Sequence, residues 1–296
     1  MERSMTQALS YYLDHFGLRE RPFSLTPDPE FLYWSPAHRG ALAMLEYGLS
    51  TRAPITLLTG EIGAGKTTLL HHFVDDLPED TVIGLISNPR PGVNDILRRV
   101  CAALDIPVPA GTDSADVFTL VQGFLVQEHR AGRRVLLIID EAQNLNRDAL
   151  EDLRMLTNIN AGKEEVLQLL LSGQPELRIM VRRPDLVQFA QRVAASYHLP
   201  RLDSDDVALY IATRLRLAGG SASVFSRQAA TLVHEATEGT PRLINQLCDL
   251  ALTYAFAEGA PLVKREIVAR VLEDGVFFGA RGKGGESGPG KGDEHA

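Results

Sequence analysis

Cysteine is nearly missing from this chain. The two it has, Cys101 and Cys248, stand far apart and show neither the spacing of a zinc site nor that of a redox pair. Both fall on stretches of helical periodicity, so buried reduced thiols are expected. Long apolar runs are missing as well. No stretch reaches the roughly 18 residues that a membrane-spanning helix needs, and Met1-Glu2-Arg3-Ser4 opens no signal-peptide core. These absences predict a cytoplasmic protein with no integral membrane segment. Positive charge is also in short supply. Thirty Lys and Arg against 38 Asp and Glu give a formal net charge of -8. That excludes a surface that binds nucleic acid non-specifically all over, although a local basic patch remains open.

What is present is an ordinary globular composition, 45% hydrophobic and 23% charged, in 296 residues. That is length enough for about two domains. The most informative stretch is Gly60-Glu61-Ile62-Gly63-Ala64-Gly65-Lys66-Thr67. Before it the apolar run Ile55 to Thr59 reads as a buried strand, and after it Thr68 to Phe73 reads as an opening helix. Glycine-rich turns join many strands to helices, but here strand, eight-residue pattern and helix are in register, which is the context a P-loop requires. Glycines let the backbone bend tightly and bring its N–H groups against phosphate oxygens, and the helix N-terminus adds partial positive charge. Lys66 would reach the β and γ phosphates, and the Thr67 hydroxyl would hold Mg²⁺.

The second informative run is Val135 to Ile139 followed by Asp140 and Glu141. Continuous branched apolar residues mark a strand buried on both faces, and the acids fall at its carboxyl end, where open α/β sheets bind ligands. Asp140 would face Thr67 across a Mg²⁺ ion, and Glu141 would polarise the attacking water. Alone, two acids could simply cap the following helix, which starts near Asn146 or Asp148. Downstream of a P-loop, the need of phosphoryl transfer for a metal carboxylate favours the catalytic reading. Val166 to Ser172 is another central strand, and it ends at Ser172-Gly173-Gln174. Either Ser172 or Gln174 could sense the γ-phosphate or place the water.

Elsewhere strands and helices alternate: a strand over 81–86, helices over 94–104, 114–130 and 148–159, with a turn at Gly162-Lys163. The alternation predicts a parallel sheet wrapped on both faces. Leu42, Leu45 and Leu49 give a helix before the P-loop strand an apolar stripe. The aromatic, proline-punctuated residues from Tyr11 to Trp34 read as a strap, whose rings either pack as core or cover the adenine. Arg178, Arg182, Arg183 and Arg192 read as a solvated face from spacing alone, although one could enter a neighbouring subunit's site. From Asp203 onward helices follow one another without strands. The third begins at Thr240-Pro241, with Leu243, Leu247, Leu250 and Ala251 as its apolar face and Arg242 at its start. The expected plan is a strap and helix on the core (1–50), a P-loop domain (51–200), a helical lid (201–276) and a disordered glycine-rich tail (277–296).

In combination and order, several stretches resemble the AAA+ ATPases of the ExeA/GspA type, relatives of the TniB and TnsC transposition ATPases. They are Tyr12 to Leu18 with Arg21-Pro22-Phe23-Ser24, Pro27-Asp28-Pro29, Gly60 to Thr68, Asp140-Glu141-Ala142-Gln143, Gly173 to Leu177, Gln191-Arg192-Val193 and Gly239 to Asn245. The likeness runs over nearly the whole chain apart from the tail. It implies a nucleotide site at Gly60 to Thr68, Walker B acids at Asp140 and Glu141, and a sensor-1 function near Ser172 to Gln174. It also implies an arginine finger at Arg192 and a sensor-2 arginine at Arg242. ATP and Mg²⁺ are the implied cofactors, and a nucleotide-dependent homo-oligomer the implied assembly.

The secretion members carry a membrane anchor and a peptidoglycan-binding region after the ATPase part, whereas this sequence stops after the lid. A cytoplasmic ATPase that remodels or loads a protein partner is therefore expected. An ATP-switched DNA-binding adaptor, as in the transposition relatives, is the alternative. A degenerate, nucleotide-binding scaffold fits poorly with the intact Lys66, Thr67, Asp140 and Glu141.

Overall fold

The computed structural model describes residues 11–26, 28–89, 95–161 and 164–279. The turn expected at Gly162-Lys163, the start of the helix expected at Asn94, and the tail beyond Gly279 lie outside the described residues. The chain divides into two compact units. One comprises Ser24–Leu202 with Thr240–Arg242, and the other takes the residues up to Phe23, Asp203–Gly239 and those from Leu243 onward.

The first unit is built on five strands, β1 (Ile55–Gly60), β2 (Thr81–Ile86), β3 (Arg134–Ile139), β4 (Leu167–Gly173) and β5 (Val193–Leu199). They lie in the order β2-β3-β4-β1-β5, and each neighbouring pair is parallel. A parallel sheet puts all its carboxyl ends on one edge, which gathers Gly60, Asp140 and Gly173 there. β1 and β4 are buried at each position, as uninterrupted apolar runs require when helices cover both faces.

Alternate residues serve opposite faces. Leu58, Leu136, Ile138 and Leu170 meet helices α1 (Pro36–Ser50) and α2 (Lys66–Asp75). Leu57, Leu137, Ile139 and Leu171 meet α3 (Ile96–Ala103), α4 (Ser114–Arg130) and α5 (Arg147–Thr157). Capping chemistry explains where these helices start: the side chains of Asp113 and Asn146 accept from the backbone N–H three residues on, in α4 and α5 respectively. Helix α6 (Pro175–Val181) follows β4 directly.

The stripe expected for α1 is rotated. Its fully buried face is His38, Ala41, Leu45 and Gly48, with Leu42 and Leu49 only partly covered. Gly48 sets the approach, since a Cβ there would collide with Thr56 Oγ1 of β1 and stand 3.4 Å from Ala195 of β5; Leu45 stays buried while Leu42 and Leu49 lie on the flank.

The second unit holds α7 (Ser204–Leu217), α8 (Arg227–Thr237), α10 (Arg265–Glu273) and, from Leu243 onward, α9 (Pro241–Ala257), whose first two residues count with the sheet unit. Asp203 and Ser226 cap α7 and α8. The buried face of α9 is Ile244, Leu247, Cys248, Ala251, Leu252 and Ala255, with Leu243 and Leu250 only half-buried. Cys101 and Cys248 are free and buried, and burial pushes the Cys248 thiol well up.

The strap, expected to lie with α1 on the core, divides at Phe23. Up to that residue it joins the helical unit. Arg19 donates its N–H to Ala218 O at 2.7 Å, Arg21 pairs with Asp249 at 2.6 Å, and Tyr12 and Phe23 meet Phe256 and Phe225 edge-on. Tyr12, Phe16 and Phe23 are thus taken up in packing. Beyond it, Phe31 and Trp34 belong to the sheet unit, with Trp34 against His72 of α2.

Candidate active site

The loop from β1 to α2 turns through two left-handed glycines, Gly63 at φ 75° and Gly65 at φ 98°. A Cβ on Gly65 would also stand 3.0 Å from His38 Nε2. Gly65 is the N-cap of α2 and supplies no side-chain acceptor. The first N–H groups of this ten-residue helix therefore have no capping side chain, the arrangement that suits an anion. Lys66, buried at 6% exposure, donates from Nζ to Gly60 O at 2.8 Å and to Glu61 O at 3.0 Å. Burial pushes its ammonium down, and Glu141, Asp140, Glu61 and Glu176 act in the opposite sense. Ala64 is buried and Thr68 half-buried in the first turn.

Across the edge of the sheet, Thr67 Oγ1 donates to Asp140 Oδ2 at 2.9 Å. Asp140 also accepts the Glu141 N–H at 3.0 Å through Oδ1, and its own N–H bonds Ile86 O on β2. Glu141 has φ 56°, a left-handed conformation uncommon outside glycine. Gln143 donates to Glu141 Oε2 at 2.5 Å and Gln174 donates to the same oxygen at 3.1 Å. A hydroxyl and a carboxylate are hard oxygen ligands of the kind Mg²⁺ takes. Among the described residues no group of three His, Cys, Asp or Glu could hold a metal. The set therefore fits an ion that keeps water and substrate phosphates as its other ligands.

The remaining expected residues are placed as follows. Ser172 pairs in register with Leu58 of β1, and its fully buried hydroxyl has no hydrogen-bond partner among the described residues. Gln174, the N-cap of α6, is the one of the two that reaches Glu141. Arg242 brings its backbone to the loop, donating its N–H to Gly63 O at 3.2 Å. Arg192 is not brought to this site. It donates to Thr157 O at 2.9 Å and to Glu165 at 3.4 Å.

Sequence reasoning missed three participants. Gln143 lies in the quoted Asp-Glu-Ala-Gln stretch, but nothing local says which way its amide turns. His38 bonds Ser35 Oγ at 2.8 Å through Nδ1. The Ser-x-x-His spacing signals a helix cap, but what the ring faces is set by the fold. Thr59 and His198 share a 3.0 Å hydrogen bond between β1 and β5, a pairing visible only once strand order is known.

The family model of an AAA domain matches residues 50–181. The chain is 42% identical over 249 residues to general secretion pathway protein A of Aeromonas hydrophila, covering 84% of this chain and 46% of that protein. It thus spans about half the length of that curated relative. Among solved structures it is similar to Cdc6p of Pyrobaculum aerophilum, with TM-score 0.64, 16% identity, and coverage of 86% of this chain and 73% of the other. It is also similar to the ORC2 protein of Aeropyrum pernix in its ADPNP–ADP complexes, with TM-score 0.60, 19% identity, and coverage of 83% and 71%. At those identities the structures speak for the fold. Together they give the chain the AAA+ fold of the P-loop NTPases, with an AAA domain over residues 50–181 and a sequence similar to a protein of the ExeA/GspA type.

Proposed function

We propose that this chain binds and hydrolyses Mg-ATP and couples that cycle to movement of its helical unit and to homo-oligomerisation, so as to remodel or load a protein partner. The observation that carries the reading is the hydrogen bond from Thr67 to Asp140, which puts the helix hydroxyl and the strand-end carboxylate where one ion can be shared. Mg²⁺, when bound, neutralises phosphate charge.

The chain's own residues do the rest. The N–H groups of the loop from Gly60 to Thr68 and the open start of α2 hold the phosphates. Lys66 exchanges the carbonyls of Gly60 and Glu61 for phosphate oxygens, a change of acceptor for a charge already desolvated. Glu141 accepts the proton of the attacking water, and Gln174, with Ser172 behind it on β4, reports the γ-phosphate to the strand end. Arg242 acts on the nucleotide from the start of α9, and Arg192 acts in a neighbouring subunit.

The test pairs two variants. Lys66→Ala should lose ATP binding. Glu141→Gln should keep ATP while turnover falls by at least about a hundredfold, the scale of losing a general base. Parental turnover in Glu141→Gln would sink the base assignment. Partners captured by that variant with ATP and not with ADP would identify what the cycle acts on. The DNA-adaptor alternative rests on the resemblance to the transposition ATPases, and no observation at this site favours it.

A further inference from the structure

Gln143 lies two residues past Glu141, in the short turn Ala142–Asn144 that follows β3. Its amide is used at both ends. Nε2 donates to Glu141 Oε2 at 2.5 Å, and Oε1 accepts the Gln174 N–H at 3.0 Å. The Gln174 side chain closes the ring by donating to the same Glu141 Oε2 at 3.1 Å. One side chain thus ties the end of β3 to the end of β4, and two amides hold the Glu141 carboxylate by a single oxygen. Among the described residues its other oxygen, Oε1, accepts no hydrogen bond.

Two further features fit. A Cβ on Gly173 would stand 2.7 Å from Gln143 Oε1, so the glycine at the end of β4 makes room for the amide. Glu141 is in the left-handed region, which is strained for a residue with a Cβ and persists only where the surroundings hold it.

We propose that Gln143 is a positioning residue for hydrolysis: it fixes the rotamer of Glu141 and sets the distance between Glu141 and Gln174. The inference rests on the reading of Glu141 as the base. A glutamate has three side-chain torsions, and a general base works only within hydrogen-bond reach of the proton it takes. Filling Oε2 with two donors fixes those torsions before ATP arrives and leaves Oε1 as the proton acceptor. The chemistry demands glutamine at this position. Glutamate would keep an acceptor for the Gln174 N–H yet set one carboxylate against another, and methionine would keep the length and lose both bonds.

The experiment measures ATP turnover, ATP affinity and thermal unfolding of the full chain for Gln143→Met, Gln143→Glu, Glu141→Gln and the Gln143→Met/Glu141→Gln double variant. Misplacement of a reacting group by about 1 Å can cost on the order of a hundredfold. Both Gln143 variants should therefore lose about 10- to 100-fold in kcat, with ATP affinity within about twofold of the parent. In the Glu141→Gln background, Gln143→Met should cost nothing more. Parental or raised kcat in a folded Gln143 variant would overturn the inference, as would equal losses of kcat and ATP affinity. If Gln143→Met does not fold, Gln143→Glu carries the same readouts. Parental turnover in Glu141→Gln would remove the base assignment and this inference with it, whereas an inactive Glu141→Gln beside a fully active Gln143→Met would overturn the inference alone.

Discussion

Thr67 Oγ1 and Asp140 Oδ2 are 2.9 Å apart although 73 positions separate the two residues, and this contact closes the loop of β1 onto the end of β3. Asp140 is buried at 7% exposure, so its carboxylate depends on the donors it finds. Thr67→Ala removes one and should lower the free energy of unfolding by about 1–3 kcal/mol, the range for a buried acceptor left short of a donor. The functional effect should be larger with the metal than without. Titration of ATP in Mg²⁺ should show a loss of about tenfold or more, about 1.4 kcal/mol, and the same titration in EDTA a much smaller one. Equal losses under both conditions would mean that the hydroxyl serves the loop and not the ion.

Gly65→Ala brings two penalties together. The residue has φ 98°, where a Cβ is strained, and the added carbon would press on His38 Nε2 at 3.0 Å. The loop should shift and lose ATP affinity by about tenfold or more while the core stays folded, because the strain is local. Equilibrium binding of a fluorescent ATP analogue, read beside thermal unfolding, separates the two effects.

Away from the nucleotide, Glu128 is buried yet paired with Arg133, which donates from Nη2 to Oε1 at 2.8 Å and from Nε to Oε2. The Arg133 hydrogen bond holds the Glu128 carboxyl below its ordinary value, against the opposing effect of burial. A carboxylate with a depressed folded pKa adds stability above its unfolded value, and that contribution disappears as pH falls through the folded value. Glu128→Gln should therefore lower Tm at pH 7. The gap to the parent should narrow as pH drops below about 4.3, the ordinary glutamate value. A gap independent of pH would assign the effect to packing.

What could be read from the sequence follows from how local each signal is. The strands at Ile55, Val135 and Leu167 were legible because burial on both faces keeps them largely apolar, and the edge strand at Thr81 was legible from its branched apolar content. The starts of α4 and α5 were legible to within a residue because residue types that cap helices stand there, and the caps prove to be Asp113 and Asn146. Lys66, Thr67, Asp140 and Glu141 were legible because phosphate chemistry demands those types beside those strands. Faces were harder. The stripe of α1 is offset from its leucines because small residues set the closest approach, and α9 buries Ile244 and Cys248 in place of Leu243 and Leu250. The destination of the strap was not legible, since an aromatic residue announces only that it needs burial. Gln143 and His38 escaped because their partners lie across the fold: the N–H of Gln174 at the end of another strand, and the turn at Gly65.

Arg192 separates two readings of one guanidinium. Its bond to Thr157 O at 2.9 Å places a cation on the last carbonyls of α5, which is favourable at a helix C-terminus. A finger acting on a neighbour would have to leave that carbonyl and Glu165. Arg192→Ala should cost about 1 kcal/mol of stability for the lost hydrogen bond and leave ATP affinity near parental, since the residue lies away from its own chain's loop. If it reaches a neighbouring site, turnover should fall on the order of 10³-fold, the lower end of what a finger contributes. Mixing is the decisive measurement. Arg192→Ala retains Lys66, and Lys66→Ala retains Arg192, so an equimolar mixture should hydrolyse ATP faster than either variant alone. A mixture no faster than its parts, with only the drop in Tm, would leave Arg192 as the cap of α5.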